Sequence, residues 1–231
     1  MHFDDWPFSG AQIKAMDRVW ILACGTSWHS GLAGKWMIES LARIPVEVEL
    51  ASEFRYRDPL VGKAQLAVAV SQSGETLDTL AAMREAKRRG ATTMTLCNVV
   101  GSAMTREADF TVLTNAGPEI GVASTKAFTT QLVGLYLLAI KLGRLRGTLS
   151  KEEAQEHLTA LSEVPKIIEV VLRTEAHVKE ISRKYINAQE APVPSVRFEP
   201  GVCGAKIEWG SPAAEPAAWV LPVLPGFRRL R

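Results

Sequence analysis

The sequence holds few of the residues from which metal and disulfide sites are built. Its 231 residues include four histidines and three cysteines, Cys24, Cys97 and Cys203, which are widely spaced with no CxxC pair. This scarcity argues against a zinc site and against a disulfide framework, so we predict neither a metal nor another cofactor. Free thiols persist in a reducing compartment, and the cytoplasm is therefore the simplest location to expect.

Long apolar runs and strong charge are also missing. The longest apolar segment, residues 132–142, contains Lys141 and is shorter than the ~20 residues that a helix needs to cross a bilayer. Residues 1–6 lack the basic-then-apolar order of a signal peptide. A net charge of +2 is too small to indicate a nucleic-acid surface. The sequence therefore predicts a globular protein with no membrane partner and no nucleic-acid partner.

Apolar runs alternate with amphipathic segments along the first 145 residues. Strand patterns occur at residues 19–24, 66–70, 92–99 and 110–114, and at 46–50, where alternating Glu47 and Glu49 predict one wetter face; helical patterns occupy residues 30–41, 77–89 and 125–142. On the helix at 77–89 we expect Leu77, Leu80 and Met83 to face inward. Strands that alternate with helices predict an α/β fold with a doubly wound parallel sheet. Ligands bind such sheets at the carboxyl ends of the strands, near a switch in strand order.

Two later regions do not fit this alternation. Residues 151–184 are helical and charged, and Pro165 is expected to open a second helix there. The last 41 residues contain seven of the chain's 12 prolines and show no clear period, so an irregular tail is predicted.

The mostly apolar helix at residues 125–142 should pack against the sheet or against a partner chain, which makes it a candidate dimer face.

The segment Ser71-Gln72-Ser73-Gly74-Glu75-Thr76 lies between a buried-strand pattern and an amphipathic helix. Backbone N–H groups at the start of a helix bind anions, and serine and threonine hydroxyls add further donors. A simple helix cap needs one hydroxyl, whereas this loop offers three, so we favour a phosphate-binding loop over a cap. Gly25, Thr26 and Ser27 follow the first predicted strand and indicate a second binding loop at the same edge of the sheet.

These motifs together resemble those of the SIS (sugar isomerase) domain family, in particular the isomerase half of the glutamine–fructose-6-phosphate aminotransferases. The matching segments are residues 23–27 (ACGTS), 51–57 (ASEFRYR), 71–76 (SQSGET), 115–117 (NAG) and 119–131 (EIGVASTKAFTTQ). SQSGET alone indicates the broad family, whereas ASEFRYR together with EIGVASTKAFTTQ is specific to the aminotransferases.

The resemblance implies a ligand and a set of contacts to it. The ligand is a sugar phosphate, fructose-6-phosphate or glucosamine-6-phosphate. The residues implied at its phosphate are Ser27, Ser71, Gln72, Ser73 and Thr76, and those implied at its sugar are Thr26, Val122 and Ser124. The family's acid–base glutamate and lysines belong to a second SIS subdomain, with a histidine from a neighbouring subunit, so no catalytic residue is assigned to this chain. A homodimer or a partner SIS domain is implied as well.

The resemblance also implies four segments. They are a remnant of an interdomain linker at residues 1–18, the SIS sugar-phosphate-binding domain at 19–145, a helical connector at 146–190 and an irregular, out-of-frame tail at 191–231. The family's glutaminase needs an N-terminal cysteine, whereas here Met1 is followed by His2. At the start of the expected second subdomain the chain reads Ala191-Pro192-Val193-Pro194, which one inserted C in codons for Ala-Leu-Phe-Leu would produce. We therefore hypothesise a frameshift near Ala191, which nucleotide sequencing tests.

Two functional hypotheses from different classes follow from these observations. The first is a fragment of the aminotransferase, binding fructose-6-phosphate as part of glucosamine-6-phosphate and amino-sugar synthesis, with little activity alone. The second is a non-catalytic SIS module that binds a sugar phosphate and regulates; a third is an SIS isomerase that acts as a homo-oligomer. Gene context discriminates among them, because an upstream glutaminase reading frame and a downstream out-of-frame SIS sequence favour the fragment.

Overall fold

The computed structural model describes residues 6–120 and 124–184, with side chains up to residue 183, and three short strand segments between residues 194 and 220. The chain divides into two compact units, Met1–Ala154 and Gln155–Arg231. The first unit contains a parallel sheet with its helices, and the second contains most of a long helix, a shorter helix and a small antiparallel sheet. The division into four segments that the resemblance implies stays a prediction.

The first unit is built on five parallel strands, in the order β2-β1-β3-β4-β5. Their bounds are Arg18–Ala23 (β1), Val46–Leu50 (β2), Gln65–Ser71 (β3), Thr92–Cys97 (β4) and Phe110–Leu113 (β5). Strand β1 pairs with β2 on one side and with the central strand β3 on the other, so that Ile21 lies between Val48 and Val68. Apart from their first residues, β1, β3 and β4 are buried, as continuous apolar runs predict for strands covered on both faces. The predicted α/β fold is confirmed.

Six helices belong to the first unit. Their bounds are Gly10–Ala15 (α1), Gly25–Ala42 (α2), Ala51–Phe54 (α3), Leu77–Arg88 (α4), Ala103–Glu107 (α5) and Lys126–Arg146 (α6). The prediction that Leu77 faces inward is wrong, because its side chain is 80% exposed. Leu77 lies in the first turn of α4 at the sheet edge, whereas Leu80 and Met83, further along, pack in a buried cluster with Ala69 and Met104.

One face of α6 is buried within this chain. Leu135, Leu138 and Leu142 have no exposed surface, and α6 packs closely against α2. Close approach depends on small residues: a Cβ at Gly34 of α2 would lie 2.8 Å from Cδ1 of Leu135. Packing within the chain is thus one of the two predicted outcomes for this helix. Phe128, Leu132, Val133 and Leu137 stay half-buried, and the role of residues 125–142 as a dimer face stays a prediction.

The basic end of α4 is tied to the segment before β3 through Arg89, which Glu85 holds in place. Glu85 accepts hydrogen bonds from Arg88 and from Nε of Arg89, the latter at 2.6 Å. Arg89 also donates to the carbonyl oxygen of Pro59 at 2.7 Å. The hydrogen bonds from Arg88 and Arg89 lower the pKa of Glu85 from 4.5 to about 2. This carboxylate thus helps to hold the segment before β3 against α4.

The lowered pKa of Glu85 predicts that the folded chain loses some stability in acid. Its pKa is lowered in the folded chain, so its stabilising contribution is present above pH 4.5 and is lost as the pH falls towards 2. Allowing for solvent screening, we expect a loss of about 1 kcal/mol in the free energy of unfolding. Urea unfolding at pH 6 and pH 3 measures this loss. Glu85→Gln should reduce the difference in the free energy of unfolding between the two pH values, and an unchanged difference would contradict this role.

The second unit starts within α7 (Lys151–Leu172), which is followed by α8 (Glu175–Lys184). Pro165 does not open a helix as predicted, because it lies inside α7. Proline has no backbone N–H, so α7 continues past Pro165 without one of its helical hydrogen bonds. The break comes instead at Arg173 and Thr174, between the two helices.

The predicted irregular tail contains three described strands. Pro194–Phe198 (β6) pairs antiparallel with Ala205–Trp209 (β7), and β7 pairs antiparallel with Trp219–Val220 (β8). The expectation of no strand period is therefore wrong for these segments. Ser195-Val196-Arg197-Phe198 and Lys206-Ile207-Glu208-Trp209 each alternate polar with apolar residues, a period of two that favours pairing despite the nearby prolines.

Candidate functional site

The candidate site lies at the carboxyl edge of the sheet, where the strand order reverses. From β1 the chain passes to β2 on one side and then back to β3 on the other, so the loops that follow β1 and β3 flank the switch point. Ala23 and Val70, at the ends of these strands, are paired in register. The loop predicted at Gly25, Thr26 and Ser27 is instead the first turn of α2, which begins directly after Cys24. This β1–α2 junction and the loop after β3 lie side by side, where ligands bind in open α/β sheets.

The loop after β3 closes on itself through hydroxyl groups. Oγ of Ser71 lies 3.1 Å from Oγ1 of Thr76 and accepts the N–H of Gly74, also at 3.1 Å. Oγ of Ser73 accepts the N–H of Glu75 at 3.2 Å. Ser71 is buried, while Ser73, Thr76 and Gln72 are half-buried. The loop is thus a preformed turn with its hydroxyls at the start of α4.

The first turn of α4 leaves N–H groups available next to this turn. Thr76 is the N-cap of α4, and it makes no side-chain hydrogen bond to the helix start in this described segment. The N–H groups of a first helical turn have no partner within the helix, and the helix dipole places partial positive charge there. This end of α4 can therefore receive an anion from the crevice.

The loop after β3 is held from behind by the segment that contains α5. The N–H of Asn98 donates to the carbonyl oxygen of Gln72 at 3.0 Å, and the N–H of Met104 donates to that of Gly74 at 3.1 Å. The carboxylate of Glu75 accepts the N–H of Ala103 at 2.7 Å. Sequence reasoning missed this role of Glu75, because its partner lies 28 residues further along the chain.

The loop after β1 brings one predicted residue into a buried polar cluster. Ser27 and Ser30 lie in α2, and Oγ of Ser27 accepts Nε2 of Gln131 in α6 at 2.9 Å. The Ser30 hydroxyl donates to the carbonyl oxygen of Ser27 at 2.7 Å and lies 3.1 Å from Oε1 of Gln131. Thr26, in contrast, is exposed. In the sequence Gln131 is only the last residue of the EIGVASTKAFTTQ motif, and no local signal predicts its contact with Ser27.

The third predicted loop is only partly described. Oγ of Ser124 accepts the N–H of Phe128 at 3.1 Å, and the carboxylate of Glu119 accepts the N–H groups of Thr125 and Ala127 at 3.1 Å each. Ser124 and Glu119 thus satisfy the start of α6. Val122 lies outside the described residues. No described hydrogen bond joins Ser124 to the loops after β1 and β3.

A buried thiol lies behind the loop after β3. Sγ of Cys97 is 3.8 Å from Oγ of Ser102 and 3.7 Å from the carbonyl oxygen of Val99. Burial raises the pKa of the Cys97 thiol, which keeps it protonated at neutral pH. Among the described residues there is no group of three His, Cys, Asp or Glu side chains that could hold a metal ion. The described helices also include none that is long and apolar enough to cross a bilayer.

A separate cleft of about 410 Å³ lies between α4 and the segment after α3. Its lining residues are Arg55, Tyr56, Ala81, Arg84, Glu85 and Arg88. Its three arginines are paired with Asp78, Glu107 and Glu85 respectively. The positive charge of this cleft is therefore neutralised locally, and the carboxyl edge of the sheet is the better candidate for an anionic ligand.

Comparison with known proteins identifies the family. The sequence model of the SIS domain family matches residues 12–141, more than half of the chain. The chain belongs to the SIS domain family. The matched range of the SIS domain includes β1 to β5 and both loops of the candidate site.

Named relatives of this SIS chain are aminotransferases. It is 50% identical over 181 residues to "Glutamine--fructose-6-phosphate aminotransferase [isomerizing]" of Clostridium tetani, and 51% identical over 180 residues to the protein of the same name from Chlorobaculum tepidum. The matches cover 78% of this chain but only 30% and 29% of those relatives. The chain therefore spans less than a third of the length of these proteins.

A solved structure supports the same fold. The C-terminal domain of glucosamine-fructose-6-phosphate aminotransferase from Francisella tularensis superposes with a TM-score of 0.73 at 38% sequence identity. The match covers 77% of this chain and 51% of that domain. This SIS chain thus corresponds to about half of the solved domain, as expected for a single SIS subdomain.

Proposed function

We propose that this SIS chain binds a sugar phosphate, fructose-6-phosphate, in the crevice between the loops that follow β1 and β3. The observation that carries the proposal is the preformed turn at residues 71–76, which gathers three hydroxyls at the N-terminus of α4. An anion there meets helix N–H groups, hydroxyl donors and the positive end of the helix dipole together.

The residues of the crevice take different parts in this proposal. Ser73, Thr76 and the amide of Gln72 are half-buried and can donate to phosphate oxygens. Ser71 is buried and holds the turn closed, in addition to its proposed contact with the phosphate. Ser27 approaches from the first turn of α2, and Thr26, Ser124 and Val122 are assigned to the sugar. Fructose-6-phosphate and glucosamine-6-phosphate share the phosphate, so both should bind.

We infer that the chain supplies the sugar-phosphate site of a glutamine–fructose-6-phosphate aminotransferase and is inactive alone. The names of its relatives support the substrate, and the chain spans only 30% of the Clostridium tetani relative. Sugar isomerisation needs a base within hydrogen-bond reach of the carbon-bound proton. Within residues 71–76 the one carboxylate, that of Glu75, is engaged at the start of α5. The remaining chemistry would come from a partner SIS domain or a second copy, in the cytoplasm.

A second candidate function is a regulatory module that binds the same sugar phosphate without converting it. The hydrogen bond of Glu75 to the start of α5 is equally compatible with this function, because it gives the loop's carboxylate a structural role. Gene context separates the two candidates, since a regulatory module needs no adjacent glutaminase reading frame.

Substitution of the loop hydroxyls tests the binding site by isothermal titration calorimetry with fructose-6-phosphate. Ser71→Ala removes the acceptor of the Gly74 N–H and the neighbour of Thr76, and we expect at least tenfold weaker binding. Thr76→Ala should weaken binding by about tenfold. The matched control is Ser162→Ala, which removes an exposed hydroxyl on α7 and should leave the affinity unchanged. No detectable binding by the folded wild-type chain would defeat the proposal.

A further inference from the structure

Gln131 joins the candidate site to a helix that begins more than 50 residues after the phosphate loop. Its side chain is 1% exposed and lies in α6, while Ser27, 8% exposed, lies in the first turn of α2. Nε2 of Gln131 donates to Oγ of Ser27 at 2.9 Å across 104 residues of sequence. A buried amide with defined partners on both its atoms fixes the position of the hydroxyl that it contacts.

The direction of this hydrogen bond decides what Ser27 can offer a ligand. A serine hydroxyl has one proton and two acceptor lone pairs. Gln131 occupies one acceptor lone pair of Ser27, and the described residues include no acceptor for the Ser27 proton. An anion accepts hydrogen bonds and donates none, so a hydroxyl whose proton is uncommitted suits a phosphate oxygen.

Ser30 keeps the amide of Gln131 in this orientation. The single proton of the Ser30 hydroxyl is shared between two acceptors, the carbonyl oxygen of Ser27 at 2.7 Å and Oε1 of Gln131 at 3.1 Å. Oε1 thus lies towards the hydroxyl that carries a donatable proton, and Nε2 lies towards Ser27. If Oε1 faced Ser27 instead, it would accept the Ser27 proton and compete with an anion for it.

We propose that Gln131 is a positioning residue that makes Ser27 a hydrogen-bond donor to the phosphate of the ligand. This inference rests on the proposed sugar-phosphate site and adds to it the residue that sets the polarity of one contact. It also explains why a fully buried amide is placed in the otherwise apolar interface between α2 and α6.

Gln131→Glu tests the polarity directly, because the variant has nearly the same shape but presents an acceptor where Nε2 donates. We expect fructose-6-phosphate to bind about tenfold more weakly to this variant in calorimetry. The matched control is Thr130→Val on the same helix, whose hydroxyl donates only to the carbonyl oxygen of Ala127 among the described residues; its affinity should equal that of the wild type. Gln131→Met can neither donate nor accept a strong hydrogen bond, and its affinity for fructose-6-phosphate should lie between those of Gln131→Glu and Thr130→Val.

A double-mutant cycle with Ser27→Ala separates positioning from general loosening of the fold. If Gln131 acts through the Ser27 hydroxyl, Ser27→Ala should weaken wild-type binding but cause no further loss in the Gln131→Glu background. Additive losses, or binding by Gln131→Glu as tight as or tighter than wild type, would overturn the inference. An effect of Ser71→Ala without any effect of Ser27→Ala or Gln131→Glu overturns it while leaving the proposed site intact. A folded wild type that does not bind overturns both.

Discussion

Gly74→Ala should abolish measurable sugar-phosphate binding and destabilise the chain by about 3 kcal/mol. Gly74 has a φ of +66°, and a Cβ there would lie 2.1 Å from Oγ and 2.7 Å from Cβ of Ser102. Ser102 is 2% exposed and cannot swing away into solvent. The N–H and carbonyl oxygen of Gly74 are both bonded, so moving its backbone breaks the turn. Urea unfolding and calorimetric titration measure the two effects.

Gly147→Ala is the matched control for backbone strain. Gly147 has a φ of +83° at the end of α6, with no atom within 4 Å of a Cβ built there. Its substitution should cost only about 1 kcal/mol and leave binding unchanged. Adding Ser102→Gly to Gly74→Ala removes both overlapping atoms and should recover part of the lost stability. Equal costs for the two alanine variants would contradict the steric explanation.

Gly143→Ala should cost about 3 kcal/mol of stability. A Cβ at Gly143 in α6 would lie 2.7 Å from the backbone oxygen of Leu41 at the end of α2 and 3.2 Å from Cβ of Leu149. The same Leu41 oxygen accepts the Thr148 hydroxyl at 2.7 Å. The backbone of Leu41 and the Cβ of Leu149, which is fixed to its own backbone, cannot rotate away as the end of a flexible side chain could, so the ends of α2 and α6 must separate. Chemical denaturation measures the loss.

Gly10→Ala provides the opposite expectation for a helical glycine. A Cβ at Gly10 in α1 has no atom within 4 Å, so the substitution should be neutral or stabilise by up to about 1 kcal/mol. A gain for Gly10→Ala beside a large loss for Gly143→Ala would show that contact between α2 and α6, rather than helix propensity, sets the cost. Similar changes in stability for the two variants would contradict this explanation.

The strands and the two loops could be predicted from sequence because each is a local pattern. Val46–Leu50 has the predicted bounds, and β3 extends the predicted run at 66–70 by one residue at each end. The alternation of strands with helices then predicts a parallel sheet, and the loops that follow its strands lie together at its carboxyl edge. The same local reasoning failed at Pro165, because proline favours a helix start and is costly within a helix, yet α7 continues past it.

The supports of the site could not be predicted, because they join residues distant in sequence. Gln131 meets Ser27 across 104 residues, and Glu75 meets Ala103 across 28. Gly74 requires the left-handed conformation within a motif, but nothing local indicates that Ser102 would close the space beside it. Such contacts follow from the packing of α5 and α6 on the sheet, which a pattern of single residues does not specify.

The central claim is that the loops after β1 and β3 hold the phosphate of a sugar phosphate. The most direct measurement is a two-dimensional amide NMR titration of the whole chain with fructose-6-phosphate and, separately, with fructose. We expect saturable shifts at the amides of Gln72 to Thr76, the first turn of α4 and Ser27 with fructose-6-phosphate, and none there with fructose. A folded chain whose amides in these loops do not move, or respond equally to both sugars, would contradict the claim.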